Sequence, residues 1–300
     1  MINQGTEATV KLSELTKWYG PIRGIDRLSF EMYRGEVFGF LGPNGSGKTT
    51  AMRSMLGLIK PTSGSCLILG SKSVGRDVKV RNRIGYLPGI AATYDTYTAR
   101  GYLNFIARMR RLDLAQEINE LAARLDLGLD QHIHDLSKGN RQKVSLVQAF
   151  MHKPELLLLD EPTSGLDPIV QREFEALLAE VTQRGGSVLL SSHVLSEVEH
   201  LADRVAILKE GRALVIDEIS ALKAQARRCI ELQFENPVRT SNFERIENIR
   251  ELSASGSSIR CIVTGSEYAL LKRAVELGVI EVRSEESTLE EIFMDLIGAK

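Results

Sequence analysis

The sequence predicts an α/β domain built around a phosphate-binding loop, followed by a smaller α+β domain. Three observations carry that expectation. Gly42-Pro43-Asn44-Gly45-Ser46-Gly47-Lys48-Thr49-Thr50 fits G-x-x-x-x-G-K-[ST], with a strand-like run at 36–41 before it and a helix-like run at 49–58 after it. Four consecutive leucines, 156–159, end in Asp160-Glu161, the pattern of a central parallel strand buried on both faces. From about residue 222 the periodicities restart in the order β-α-β-β-α-β.

Composition allows both domains. The chain has 300 residues, 43% of them hydrophobic, enough for one large core and one small one. Its formal net charge is −1, so no global basic field points to nucleic acid or anionic lipid. Cys66, Cys229 and Cys261 are scattered and odd in number, which suits core residues in a reducing compartment better than a disulfide framework. The first residues lack a basic region followed by an apolar one, so no secretory leader is expected. No apolar run approaches the roughly 20 residues that span a bilayer, so any membrane role is expected to come through a partner.

Taken in order, 10–15 and 28–32 alternate as strands, with Lys17-Trp18-Tyr19-Gly20 leading into a turn between them. The phosphate loop and its helix follow, closed by Gly57 and Pro61. Residues 65–69 form a short strand, and 84–87 a strand that runs into the loop Pro88-Gly89. Tyr102, Phe105, Ile106 and Met109 then share one helical face, as do Ile118, Leu121, Ala122 and Leu125. These mark a helical insertion over about 98–150. Asp167-Pro168 supplies a cap and a first-turn proline for a helix bearing Phe174, Leu177, Leu178 and Val181, which Gly185-Gly186 ends. Strands follow at 187–191 and 204–208, then a turn at Glu210-Gly211. In the last part, strands are expected at 230–234, 251–253, 259–264 and 279–283. Helices are expected at 241–247 (weak), 268–277 and 289–297. That order resembles a ferredoxin-like split unit.

The phosphate loop has a direct physical reading. Its glycines let successive backbone N–H groups face one anion, and the helix N-terminus adds its positive end. Lys48 would reach the β- and γ-phosphates, and the Thr49 hydroxyl would meet Mg²⁺.

Further motifs follow in order: Leu136-Ser137-Lys138-Gly139-Asn140 before a helix, Asp160-Glu161 after the leucines, Ser164-Gly165-Leu166-Asp167, and Ser192-His193 after the next strand. At these residues the chain resembles the ATP-binding-cassette (ABC) transporter ATPase family, over roughly 9–220. Leu136 to Lys143 and Leu289-Glu290-Glu291-Ile292-Phe293 look like the exporter ATPases that serve a separately encoded permease. The resemblance implies a P-loop NTPase (RecA-like) core with an N-terminal antiparallel β-subdomain and a helical subdomain. It implies an ATP-hydrolysing domain at 1–221 and an accessory or regulatory domain at 222–300.

It also implies residue roles. Tyr19 would stack on adenine, or else be an ordinary aromatic. Residues 42–50 would cradle the phosphates. Asp160 and Thr49 would hold Mg²⁺. Glu161 would polarise the attacking water as general base, the alternative for the acidic pair being a helix cap. His193 would bond the γ-phosphate. Ser137 and Gly139 would face ATP bound by a second subunit, in a head-to-tail dimer. Asp167 matches an interface loop and also suits a cap. A permease segment would dock between the Gly89 loop and the helical insertion, near Ile90, Ala91, Ala92, Tyr94 and Tyr97, unless these pack beneath their own loop. The protein would then sit on the cytoplasmic face of the membrane.

Three positions depart from the family pattern: Lys138 replaces a glycine, Asn140 a glutamine, and Gly89 a glutamine that would touch Mg²⁺. Two other readings stay open, a non-transport ABC ATPase acting on ribosomes or DNA, and a regulatory module with a degenerate site. Against the second stand Lys48, Asp160, Glu161 and His193; against the first, the single cassette and the lack of basic segments.

Overall fold

Strand β1 (Val10–Tyr19) and strand β2 (Ile22–Met32) pair antiparallel from Val10–Met32 to Tyr19–Ile22. The computed structural model in which they are seen describes residues 8–72, 75, 77–90, 94, 96–225, 227–244, 246–285 and 288–298. The turn falls at Gly20-Pro21, just after the aromatic pair as expected, but the strands run right up to it and so are longer than the 10–15 and 28–32 expected from sequence. Bulges break the apolar alternation on the way, with Glu14 and Arg27 at positive φ, which is why a strict period of two misses the strand ends. Strand β3 (Val37–Leu41) leads into the phosphate loop and helix α1 (Lys48–Met55). Strand β4 (Ser63–Ile68) pairs with β1, completing a three-stranded sheet in the order β2-β1-β4.

A short helix α2 (Val78–Arg81) precedes strand β5 (Ile84–Leu87). The expected helical insertion comprises α3 (Ala99–Met109), α4 (Ala115–Arg124) and α5 (Lys138–Phe150). Strand β6 (Leu156–Asp160), α6 (Pro168–Gln183), β7 (Ser187–Ser192), α7 (Leu195–Leu201), β8 (Arg204–Lys209) and β9 (Arg212–Glu218) follow. Sheet order is β5-β6-β7-β3-β8-β9, with β5 to β8 mutually parallel. Every residue of β3, β6 and β7 is buried, as their continuous apolar runs require. The C-terminal ends of β3, β6 and β7 therefore emerge side by side, where ligands bind in open α/β sheets. Phe30, Phe38 and Phe40 pack the antiparallel sheet onto this one, with ring centroids 4.7, 5.4 and 6.0 Å apart. Each such buried side chain contributes about 1.5–3 kcal/mol.

The chain divides into two compact units, Met1–Ile216 and Asp217–Lys300, a few residues upstream of the 221/222 boundary expected from sequence. The second unit holds α8 (Ile219–Gln225), β10 (Arg227–Phe234), β11 (Ile249–Ser255), β12 (Ser258–Thr264), α9 (Tyr268–Glu276), β13 (Val279–Glu285) and α10 (Leu289–Gly298). Its sheet order is β11-β12-β10-β13, all pairs antiparallel. It has its own core, centred on Ile230, Leu232, Phe234, Phe243, Ile259 and Leu270. Where a weak helix was expected at 241–247, the described residues form one 3₁₀ turn, Thr240–Asn242, and further turns. The segment carries only two apolar residues, the buried Phe243 and the partly buried Ile246, too few for a helical apolar stripe. No helix among the described residues is long and apolar enough to cross a membrane.

Candidate active site

Residues 42–47 turn sharply between β3 and α1, and the close packing explains the glycines. Gly47 has φ +106°, and a Cβ there would lie 2.5 Å from the Gly24 carbonyl oxygen. Lys48 follows and is buried; its Nζ donates to the carbonyls of Gly42 (2.5 Å) and Pro43 (3.2 Å). Burial holds its ammonium below the usual lysine range, while the Glu161 and Asp160 carboxylates pull the other way. The Ser46 hydroxyl is buried in the same loop with no partner. An oxyanion seated on the loop would satisfy it.

At the end of β6, Asp160 is 1% exposed and both its oxygens are used. Oδ2 accepts from the Thr49 hydroxyl (2.6 Å) and Oδ1 from the Ser191 hydroxyl (2.5 Å). Glu161 follows at φ +53°, an uncommon conformation for a residue with a Cβ. Its N–H donates to the Ser191 carbonyl (3.1 Å) and lies 3.2 Å from the Ser191 hydroxyl oxygen. This turn carries the Glu161 carboxylate back toward the loop, where Oε1 lies 3.8 Å from Lys48 Nζ and Oε2 2.7 Å from His193 Nδ1. Glu197 steadies the histidine turn by accepting from Ser192 (2.8 Å) and Thr163 (2.8 Å), one residue on each side of the site.

A cavity of about 420 Å³ opens over these groups. Tyr19, Ile22 and Arg23 form one wall, Asn44 to Thr50 the floor, and Gly89, Asp160 and Glu161 the far side. Tyr19 is 45% exposed, leaving ring surface free to stack. Gly89 sits against the acid, since a Cβ there would lie 3.1 Å from Asp160 Oδ2. Thr49 and Asp160 together offer hard oxygen donors, the chemistry Mg²⁺ prefers.

Ser137 and Gly139 do not line this cavity. Ser137 caps α5, its hydroxyl accepting from Asn140 N–H (3.2 Å). Asp167 caps α6 by accepting from Ile169 and Val170 (3.0 Å each), and those backbone hydrogen bonds, Val170's first, hold its carboxyl below the usual range. Tyr94 and Tyr97 form an aromatic cluster with Phe105, with Tyr102 against Tyr94, yet stay 57% and 40% exposed. Ile90 is 83% exposed; Ala91 and Ala92 lie outside the described residues. Sequence reasoning missed Ser191, Gln142 and Glu197: the first two act through contacts 19–31 residues away, and Glu197 ties Ser192, 5 residues before it, to Thr163, 34 residues away.

A phosphate loop with a buried lysine, a hydroxyl–carboxylate pair and a second carboxylate beside them define a nucleoside-triphosphate hydrolase of the P-loop type. Comparison with known proteins gives the family. Residues 25–164 match the ABC transporter family model. The chain is 34% identical over 300 residues to the bacitracin transport ATP-binding protein BcrA of Bacillus licheniformis, covering 96% of this chain and 97% of that one. It is 32% identical over 302 residues to the Nod factor export ATP-binding protein I of Paraburkholderia xenovorans (strain LB400), covering 97% and 98%. A solved ATP-binding subunit of an ABC transporter superposes with a TM-score of 0.67 at 28% identity, over 72% of this chain and 92% of that one. The chain belongs to the ABC transporter ATP-binding proteins, and is an ATP-hydrolysing subunit of that family.

Proposed function

We propose that this chain energises export through a separately encoded transmembrane permease, as a head-to-tail dimer on the cytoplasmic face of the membrane, with Glu161 as general base. The convergence of Lys48, Glu161 and His193 carries the reading of the site. The export partnership rests on the names of the two bacterial relatives.

ATP would place its adenine against Tyr19 and its phosphates over residues 42–50. Lys48 would exchange the Gly42 and Pro43 carbonyls for phosphate oxygens, a stronger, charge-assisted contact. Thr49 and Asp160 would hold Mg²⁺, which, when bound, offsets charge building on the phosphate oxygens. Glu161 would accept the proton of the attacking water, and His193 would move from its carboxylate toward the γ-phosphate. Ser137 and Gly139, outside the cavity of their own subunit, are free to serve the γ-phosphate of a second one. Lys138 beside them adds positive charge where phosphate would arrive.

The exposed pair Tyr94 and Tyr97 suits a permease contact, since aromatic side chains are enriched at interfaces. Gly89 brings no side chain to the metal, so coupling would pass through loop backbone and the helical insertion. Residues 217–300 would form an accessory, ferredoxin-like regulatory domain.

The test is Glu161→Gln. Loss of a general base costs about 10²- to 10⁴-fold. The variant should bind a fluorescent ATP analogue normally, fail to hydrolyse ATP, and run as a dimer with ATP and Mg²⁺ in light scattering. Adding Ser137→Arg should return it to monomer. Near-native turnover in Glu161→Gln would refute the assignment.

A further inference from the structure

The helical insertion grips the peptide of the candidate base. Gln142, on α5, is 7% exposed and does not line the nucleotide cavity. Its Nε2 donates to the carbonyls of Glu161 (3.1 Å) and Pro162 (2.9 Å), which spends both amide hydrogens. The position of this grip matters. Glu161 holds a left-handed φ of +53°, sparsely populated for such a residue, and the proline after it restricts its backbone further. The peptide joining Glu161 to Pro162 has no N–H, so its carbonyl is the only polar handle by which it can be held. Ser191 fixes the N–H side of Glu161 from β7, and Gln142 fixes the carbonyl side from α5. Relaxation of φ would swing the carboxylate away from Lys48 and His193.

The same end of α5 abuts the next loop. A Cβ on Gly139 would lie 2.5 Å from the Gly165 carbonyl oxygen, and Lys138 Nζ donates to the Ser164 hydroxyl (3.1 Å). A shift of α5 must therefore carry residues 161–165 with it.

We propose that Gln142 is a positioning residue for hydrolysis: it locks Glu161 in its strained conformation, and makes the aim of the carboxylate depend on the position of the helical insertion. This deepens the assignment of Glu161 as base, and rests on it. Gln142→Met keeps the length and removes the donors; Gln142→Glu keeps the shape and sets a carboxylate against two carbonyls.

Steady-state ATPase kinetics, affinity for a fluorescent ATP analogue and thermal melting are measured on the full-length protein and both variants, with Glu161→Gln alongside. Misplacing a reacting group by an ångström costs up to ~100-fold. The expected result is a kcat ~10- to 100-fold lower in both variants, with KM and nucleotide affinity close to those of the parent and a melting temperature that falls, as loss of buried hydrogen bonds requires, but stays above the assay temperature. A parental kcat in either variant overturns the proposal, and so does a fall in kcat matched by equal loss of nucleotide affinity or of folded protein. An inactive Glu161→Gln beside a fully active Gln142→Met overturns this inference alone. Parental turnover in Glu161→Gln overturns the assignment of the base beneath it.

Discussion

Ser191 joins the two acids of the site. Its hydroxyl donates to Asp160, its carbonyl accepts from Glu161 N–H, and it is fully buried. Replacement by alanine leaves Asp160 Oδ1 short of a donor in a place water cannot easily reach. An unsatisfied buried acceptor costs about 1–3 kcal/mol. Ser191→Ala should therefore lower the melting temperature by roughly 2–4 °C per kcal/mol lost. It should also weaken Mg²⁺-dependent ATP binding more than Mg²⁺-free binding. Calorimetric melting and nucleotide titrations with and without Mg²⁺ test this; equal binding loss in both would place the serine outside the metal side of the site. Ser191 shows how legibility in sequence divides. Lys48, Thr49 and Asp160 stand in motifs whose spacing encodes their chemistry. Ser191 sits in a segment that reads as a strand, and Gln142 in the stretch 136–143 whose resemblance to the exporter ATPases says nothing of its contacts; their partners are 31 and 19–20 residues away. No periodicity records such a contact.

Between elements, the junction of α5 with β5 carries a titratable group. His152 lies just past α5, its Nε2 on the Ile84 carbonyl (3.1 Å) and its Nδ1 buried with no partner. Burial foremost, with Arg110 nearby, pushes its pKa down from 6.5 to about 4. Between those values the unfolded chain takes up a proton at this ring that the folded chain refuses. Its contribution is thus complete above about pH 6.5 and is lost as pH falls toward 4, on the order of 3 kcal/mol if fully realised. His152→Gln should unfold in urea with a shallower loss of stability between pH 7 and 5 than the parent; parallel curves would assign acid sensitivity to other groups. The aromatic cluster on the loop before α3 makes a second prediction at this scale. Tyr94→Arg or Tyr97→Arg should reduce co-purification of the permease while ATPase activity of the isolated subunit persists, because both rings are largely exposed. An intact complex would move docking elsewhere, and lost basal activity would make the tyrosines part of the core. The helices and the parallel strands were legible as apolar runs. The β1–β2 hairpin was read short because bulges at Glu14 and Arg27 interrupt its period.

At the scale of the whole chain, the sequence showed a change of character near residue 222 but not the strand that precedes it. β9 (Arg212–Glu218) is mostly half-buried or exposed and lacks a continuous apolar run, yet it closes the edge of the six-stranded sheet. Helix α8 then packs against α10, and its Ile219 and Leu222 are buried. Where the chain is cut should therefore matter. A protein ending at Glu218 keeps the whole of β9 and omits α8 together with α10. One ending at Lys223 keeps α8 without α10 and uncovers Ile219 and Leu222, at about 1.5–3 kcal/mol of lost burial each. The 1–218 protein should fold, bind ATP analogue with parental affinity and stay monomeric without nucleotide. The 1–223 protein should aggregate more readily and bind a hydrophobic dye. Both should alter ATP-dependent dimerisation if residues 217–300 regulate it. Light scattering, dye binding and nucleotide titration on the two proteins decide. If 1–218 cannot fold while 1–223 can, α8 belongs to the catalytic unit and the boundary lies after it.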